Sequence, residues 1–356
     1  MSSLSMPAAW QGPLPQASPP SDMAIYQLPT GTYDTRAAFA YTGGSFSDTR
    51  HFAATAVLVT HAQGDFLIDA GFGADIAAHV HAQPWYARSA YQAASTAGDQ
   101  LDASGYDRGR LRGVLITHSH WDHVSGLDRL QVPIWTNAGE LQYAADSRDG
   151  TVFRTVSPGH EVHRYEFGNG PYLGFASSYD VHGDGSVVLA LAGGHTTGSV
   201  IVFVTLPAGK RYAFIGDVAW QCVGITKPAE RPLLMRKLAD VDPGQVRKDL
   251  LKVVSLAGLM QIVPAHDLTA YEGIPRLASR AASSVSWPAG HTANGPPASV
   301  GPVACRQLPE GLAGSADAVH EPDPAPGDHS EHHSRSCDHG GNSWPTGCSC
   351  CGSHQA

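Results

Sequence analysis

The run Thr117-His118-Ser119-His120-Trp121-Asp122-His123 constrains this chain more than any other stretch. It places three imidazoles and a carboxylate together, directly after the apolar run Gly113-Val114-Leu115-Ile116. Such a run reads as a buried strand, so the histidines fall on the loop leaving its end. Rigid strand ends with exposed loops are where α/β proteins carry their chemistry. Imidazole and carboxylate together suit zinc or a similar borderline ion, and one ion has no use for all four donors. His118 and His120, two apart, are able to point the same way, which leaves Asp122 and His123 to face a second ion. The alternative is a histidine-rich surface turn, which has no need of four donors at this spacing.

Four further segments bear on that reading. Phe66-Leu67-Ile68-Asp69-Ala70-Gly71 is an apolar strand ending in Asp-x-Gly, and Gly193-Gly194-His195-Thr196-Thr197-Gly198-Ser199 presents a histidine in a glycine-rich turn. Tyr212-Ala213-Phe214-Ile215-Gly216-Asp217 and Gln261-Ile262-Val263-Pro264-Ala265-His266-Asp267 each lead from an apolar run to a ligand-type residue. Taken singly, His195 also reads as a core histidine, Asp217 as a turn residue and His266 as a strand-end residue. Their order beside the first motif is what sets them apart.

These five elements, in this order across residues 55–267, resemble the metallo-β-lactamase fold superfamily. The resemblance implies an α/β fold, a four-layer αββα sandwich. It implies that His118, His120 and His195 hold one metal, that Asp122, His123 and His266 hold a second, and that Asp217 bridges both. Two Zn2+ per chain are expected, with Mn2+ or Fe2+ as alternatives. In the family, Asp69 steers a ligand by a hydrogen bond instead of binding metal. His120 argues against the diiron flavoprotein branch, which is acidic there, and Asp217 argues against true β-lactamases. The chemistry fits that division, because a carboxylate offers one oxygen to each of two ions and imidazole does not. Two ions a few ångströms apart share a hydroxide and clamp the attacked group.

Length and charge narrow the function. The 356 residues are 42% hydrophobic, enough for a large core, and the net charge of −9 disfavours nucleic acid. No stretch approaches the roughly 18 uninterrupted apolar residues of a membrane span. Residues 1–23 are rich in Pro, Ser and Ala, with neither the basic nor the apolar region of a secretory signal, so a disordered segment and a cytoplasmic location are expected. Residues 24–285 are expected to form the catalytic domain. Residues 286–356, with Pro, Gly, Ser and His and hardly any aliphatic pattern, are expected to be a disordered tail. Cys222 is the only cysteine before residue 300, which predicts no disulfide framework for the body. His329, His332, His333, Cys337, His339, Cys348, Cys350, Cys351 and His354 offer the tail a second metal-binding capacity, without the spacing of a zinc finger.

Between the ends, Ala56–Thr60 and Asp65–Ile68 read as a hairpin, and the Ala-rich residues 86–104 read as a helix. Asn137 with Glu140 predicts a capped helix to Ala145, and Asp242 predicts another from Pro243 to about Leu259. Within the superfamily the chain most resembles the lactonase-like branch that opens N-acyl homoserine lactones. That implies a small ester or lactone substrate, with the metals acidifying a bridging water and Asp122 passing the proton to the leaving group. A homodimer is allowed. Thioester hydrolysis of the glyoxalase II type, phosphodiester or sulfate-ester hydrolysis, and non-catalytic metal sensing stay open. Phe72, Trp85, Tyr86 and Tyr91 read either as an acyl-chain lining or as packing aromatics. One departure stands out: where homoserine lactonases often carry a tyrosine three residues after the bridging aspartate, this chain has Trp220.

Overall fold

The computed structural model describes residues 4–85, 87–279 and Cys305. Among them, one sheet contains β1 (Ala24–Arg36), β2 (Thr49–Thr60), β3 (Asp65–Ile68), β4 (Tyr91–Ala93), β5 (Leu111–Leu115), β6 (Ile134–Thr136) and β7 (Val162–Arg164). Its strand order is β4-β1-β2-β3-β5-β6-β7. The other contains β8 (Ser178–Asp180), β9 (Val187–Leu191), β10 (Val200–Thr205), β11 (Arg211–Phe214) and β12 (Gln261–Val263), in the order β12-β11-β10-β9-β8.

Period-two alternation in the sequence decides which sheet face meets which layer. Val57, Val59, Phe66, Ile68 and Leu115 point into one core shared with Val188, Val202, Phe203 and Phe214 of the second sheet. Their neighbours Ala56, Leu58, Leu67 and Val114 point the other way, into a cluster with Leu101, Val124, Leu127 and Phe153 from the helical layer. Leu250, Val253 and Val254 of the helix Pro243–Leu256 cover the second sheet. The result is the expected αββα sandwich. Leu67 is fully buried, and truncation to Ala at such a position typically costs about 2–5 kcal/mol.

Several local expectations hold. β2 and β3 form the hairpin, Asn137 accepts from the Glu140 amide, and Asp242 accepts from Gly244 and Gln245. The helix that Asp242 caps stops at Leu256, a little short of the reading. Residues 86–104 are not one helix. Tyr91–Ala93 add as an edge strand to β1, and the helix begins only at Ala97, where the Thr96 side chain caps it. Alanine favours helix weakly, and an open strand edge with a later cap outweighs it.

The N-terminal segment also differs from expectation. Among its described residues no regular element precedes Ala24, yet Leu4, Trp10 and Leu14 pack on the core. The Leu4, Trp10 and Ser18 amides donate to Pro228, Ser255 and Asp184 carbonyls. Three apolar anchors spaced through a proline-rich stretch hold it down without a helix or strand. Cys222 is disulfide-bonded to Cys305 across 83 residues of sequence, so the body does carry a cross-link that cysteine spacing did not reveal. The remainder of the expected tail, with its histidines and cysteines, and Tyr86 lie outside the described residues. Among the described residues, no helix is long and apolar enough to cross a membrane.

Candidate metal centre

The site forms where β3, β5, β11 and β12 end beside the β9–β10 turn. After β3, Asp69 adopts φ +55°, a left-handed conformation that non-glycine residues occupy at a cost. That turn aims its carboxylate under the histidine loop. Oδ1 accepts from the Thr117 amide at 2.7 Å, and Oδ2 accepts from Thr117 Oγ1 at 2.9 Å and His123 Nδ1 at 2.8 Å. Past β5, the loop turns at His120 into the one-turn helix Trp121–Val124, which carries Asp122 and His123 inward. Gly216, at φ +48°, turns the chain after β11 so that Asp217 faces the same space.

All seven sequence-named donors converge. Ligand atoms of His118, His120, His195 and Asp217 form one group within 4.8 Å of one another, and those of Asp122, His123 and His266 form another. Asp217 faces both groups. Its Oδ1 lies 3.0 Å from His266 Nε2 and 3.3 Å from His123 Nε2. Its Oδ2 lies 3.2 Å from His195 Nε2 and 3.8 Å from His118 Nε2.

Each imidazole spends its outer nitrogen on an anchor. His123 Nδ1 meets Asp69, His195 Nδ1 meets Asp240 at 2.9 Å, and His266 Nδ1 meets the Ala53 carbonyl at 2.8 Å. His120 Nε2 meets the Tyr143 hydroxyl at 2.8 Å, and His118 Nδ1 meets Thr117 Oγ1 at 3.2 Å. With the protons outside, the lone pairs face one another. His120 Nδ1 is 3.1 Å from His118 Nε2 and 3.0 Å from His195 Nε2, and His123 Nε2 is 3.3 Å from His266 Nε2. A tetrahedral zinc with bonds of about 2.0–2.1 Å sets its ligand atoms about 3.3 Å apart. Asp217 Oδ1, buried without a hydrogen-bond donor, completes a cage that fits a cation.

The charge balance agrees. Burial holds His118 and His120 well below the usual imidazole range. Burial also pushes His123 down, but Asp69, Asp122 and Asp217 together outweigh it and raise it well above that range. For His195 and His266 burial is likewise the largest single effect, and Asp217 does most to overcome it, leaving both raised. Burial would raise Asp217, yet His266, His118 and His123 hold it well below the carboxylate range. Metal binding releases protons of this kind from its ligands.

Other residues at the site were not legible as site residues in the sequence. Glu140, 1% exposed, accepts from the Ser119 amide and hydroxyl and from the Thr196 hydroxyl, tying the His118–His120 loop to the His195 turn. Burial raises its carboxyl, offset in part by those donors. A side chain at Gly198 would collide with the Glu140 backbone, so the turn needs glycine there. Arg231, buried, pairs with Asp240 and donates to the Asp217 carbonyl at 2.7 Å. The guanidinium also lies over the Trp220 ring, 4.7 Å from its centre. Trp220 itself donates Nε1–H to Asp217 Oδ2 at 2.7 Å. Phe72 is buried, stacked on Trp121 in a cluster with Ile76 and Val80. Tyr91 joins that cluster, while Trp85 is 81% exposed.

Fold and donor set together define a candidate centre for metal ions. A profile of the metallo-beta-lactamase superfamily matches residues 49–266, and the chain belongs to that superfamily, whose chemistry is metal-dependent hydrolysis. A protein of Mycobacterium tuberculosis named as a probable metallo-hydrolase is 29% identical over 234 residues, 61% of this chain and 75% of its own length. The N-acyl homoserine lactonase AttM of Rhizobium johnstonii is 24% identical over 207 residues, 56% of this chain and 78% of its own. Among solved structures, an N-acyl homoserine lactone hydrolase with the product N-hexanoyl-L-homoserine at its catalytic metal centre superposes with a TM-score of 0.56. It is 16% identical, with 74% of this chain and 98% of that one covered. A variant of AiiA from B. thuringiensis with N-decanoyl-L-homoserine bound gives 0.55 at 17% identity, over the same 74% and 98%. Those structural likenesses speak for the fold.

Proposed function

We propose that this protein is a dinuclear metallo-hydrolase that opens a small ester or lactone carrying an apolar acyl group, with N-acyl homoserine lactones as the first substrates to try. The observation that carries the reading is Asp217, with one oxygen towards each imidazole group. Under this reading His118, His120 and His195 hold one ion, Asp122, His123 and His266 hold the other, and Asp217 joins them. Zn2+ is the expected metal, with Mn2+ or Fe2+ as alternatives. When bound, the two ions supply an acidified water and an electron-poor carbonyl.

The side chains supply the rest. Asp122 accepts a proton at its carboxylate as the water is consumed and returns it to the leaving oxygen, so the acid and alcohol products balance. Asp69, Asp240 and Tyr143 keep the imidazole rings from turning. Trp220 is committed to Asp217 and leaves the attacked carbonyl without the phenol that homoserine lactonases often provide. Loss of one such donor typically costs roughly 10²- to 10³-fold in turnover. Homoserine lactones should therefore be opened slowly, or substrates with better leaving groups preferred.

Support for an acyl group comes from the helix Leu233–Ala239, none of whose residues is buried. It runs between Arg231 and Asp240, the pair that grips His195. Leu233, Leu234, Leu238 and Val241 are 48%, 62%, 53% and 56% exposed, apolar side chains left open to solvent on a segment whose two ends hold His195. The test is a panel of lactones of increasing acyl length, thioesters, phosphodiesters and sulfate esters, assayed with zinc- and manganese-loaded protein. Lactone or ester turnover that improves with acyl length supports the reading. Turnover confined to phosphodiesters or sulfate esters refutes it.

A further inference from the structure

Tyr33 reaches the centre from β1, a strand that contributes none of the seven donors. Its hydroxyl donates to Asp122 Oδ2 at 2.7 Å. The same oxygen lies 3.4 Å from His266 Nε2, so it is the one turned towards the second imidazole group. The ring is held on several sides. Phe52 meets it edge to face at 5.3 Å, Trp121 lies tilted at 5.2 Å, and the His266 ring meets it at 5.6 Å. Phe52 in turn stacks flat on His266 at 5.2 Å. One phenol thus bonds to the carboxylate of this group and packs against one of its imidazoles.

The Tyr33 side chain is half-buried, and water or a backbone carbonyl would satisfy its hydroxyl. Here the acceptor is a carboxylate oxygen with two modes open to it. Free, a carboxylate rotates about its Cβ–Cγ bond and binds a cation through one oxygen or through both. With one lone pair of Oδ2 committed to the hydroxyl proton, Oδ2 is turned to His266 and single-oxygen binding is favoured.

We propose that Tyr33 is a positioning residue for the second ion, holding Asp122 in one orientation and thereby setting how that carboxylate binds. The proposal rests on the reading of Asp122 as a ligand and is independent of which substrate is turned over. Groups one step behind a metal ligand typically change affinity by roughly 10- to 100-fold when removed.

The experiment is Tyr33→Phe in the full chain, which keeps the ring and removes only the hydroxyl. Metal-stripped wild type and variant are titrated with Zn2+ by calorimetry and with Co2+ by visible absorption, alongside thermal melts. The expected result is an unchanged melt without metal, one ion bound as in wild type, and the other about 10- to 100-fold weaker with an altered cobalt spectrum. At saturating metal, kcat should fall while KM holds. Equal affinities and identical cobalt spectra would overturn the proposal, as would equal weakening of both ions, which marks a merely structural role. Failure of every substrate in the panel, with one ion still weakened, would sink the functional reading and leave Tyr33 in place.

Discussion

Two histidine clusters lie at opposite ends of β3, and they put the same side chain to different uses. Beyond its end, Asp69 anchors His123 through Nδ1, and the second nitrogen lies 3.3 Å from His266 Nε2 and 3.3 Å from Asp217 Oδ1. At its start, Asp65 accepts from the His61 amide at 2.8 Å, and His61 stacks on His182 with ring centres 3.6 Å apart. His61 has neither nitrogen to spare: Nδ1 accepts from the Gln63 amide and Nε2 meets Asp184 at 3.0 Å. The candidate ligand histidines each anchor one nitrogen and turn the other inward, whereas His61 has both nitrogens taken and His182 lies stacked against it. Histidine content alone would not separate the two clusters.

The largest effect should come from Asp217→Ala, which removes the one carboxylate shared by both groups. Metal analysis after full reconstitution should fall from two ions to one or fewer, and turnover should drop by more than the roughly 10- to 100-fold expected of an outer-shell change. Two retained ions would break the division of donors made above. Next in size, Asp69→Asn should weaken metal binding by about 10- to 100-fold with little change in the fold. His61→Gln, at the other end of β3, should leave metal content intact and cost about 1 kcal/mol of stability for its lost hydrogen bonds. If His61→Gln strips metal, the contrast between the clusters fails.

The metal end carries a further tie. The Cys222 amide donates to Asp267, next to His266, while its sulfur binds Cys305. Reducing the disulfide, or ending the chain after residue 285, should lower stability by about 2–4 kcal/mol. Chemical unfolding with and without reductant measures that loss. No change in midpoint would mean that residues 24–285 form a self-sufficient domain, as their composition suggests.

The donors were legible because each stands at the end of an apolar run, where sequence neighbours announce the strand and the strand announces the loop. Local pattern gave the His118–His123 motif, and the resemblance to the superfamily, matched along those runs, gave His195, Asp217 and His266. It reached Asp69 for the same reason. It missed Tyr33, Glu140, Arg231 and Asp240, because their partners lie far away in sequence and no local pattern ties them together. Tyr33 sits on β1, 89 residues before its carboxylate. Glu140 was legible only as a capping residue, and the cap forms through Asn137 while its own side chain crosses to two loops. The 86–104 stretch misled because alanine content says nothing of an open strand edge nearby.

The last effect concerns acid. Burial, and then His61, hold His182 down to about 4, and its Nε2 is buried without a partner. An unfolded chain protonates histidine near 6.5, so between about 6.5 and 4 the unfolded state binds a proton that the folded state refuses. A depressed histidine therefore leaves stability intact above about 6.5 and removes it as pH falls towards 4. The metal end adds its own acid sensitivity, because protons displace ions from imidazole. To separate the two, chelated wild type and His182→Phe are melted from pH 7 to 4.5. The phenyl ring keeps the stack on His61 without a titrating group. The variant should lose less stability than wild type across that range. Parallel losses would mean that the stacked pair does not feel acid, and that the pH response belongs wholly to the metal end.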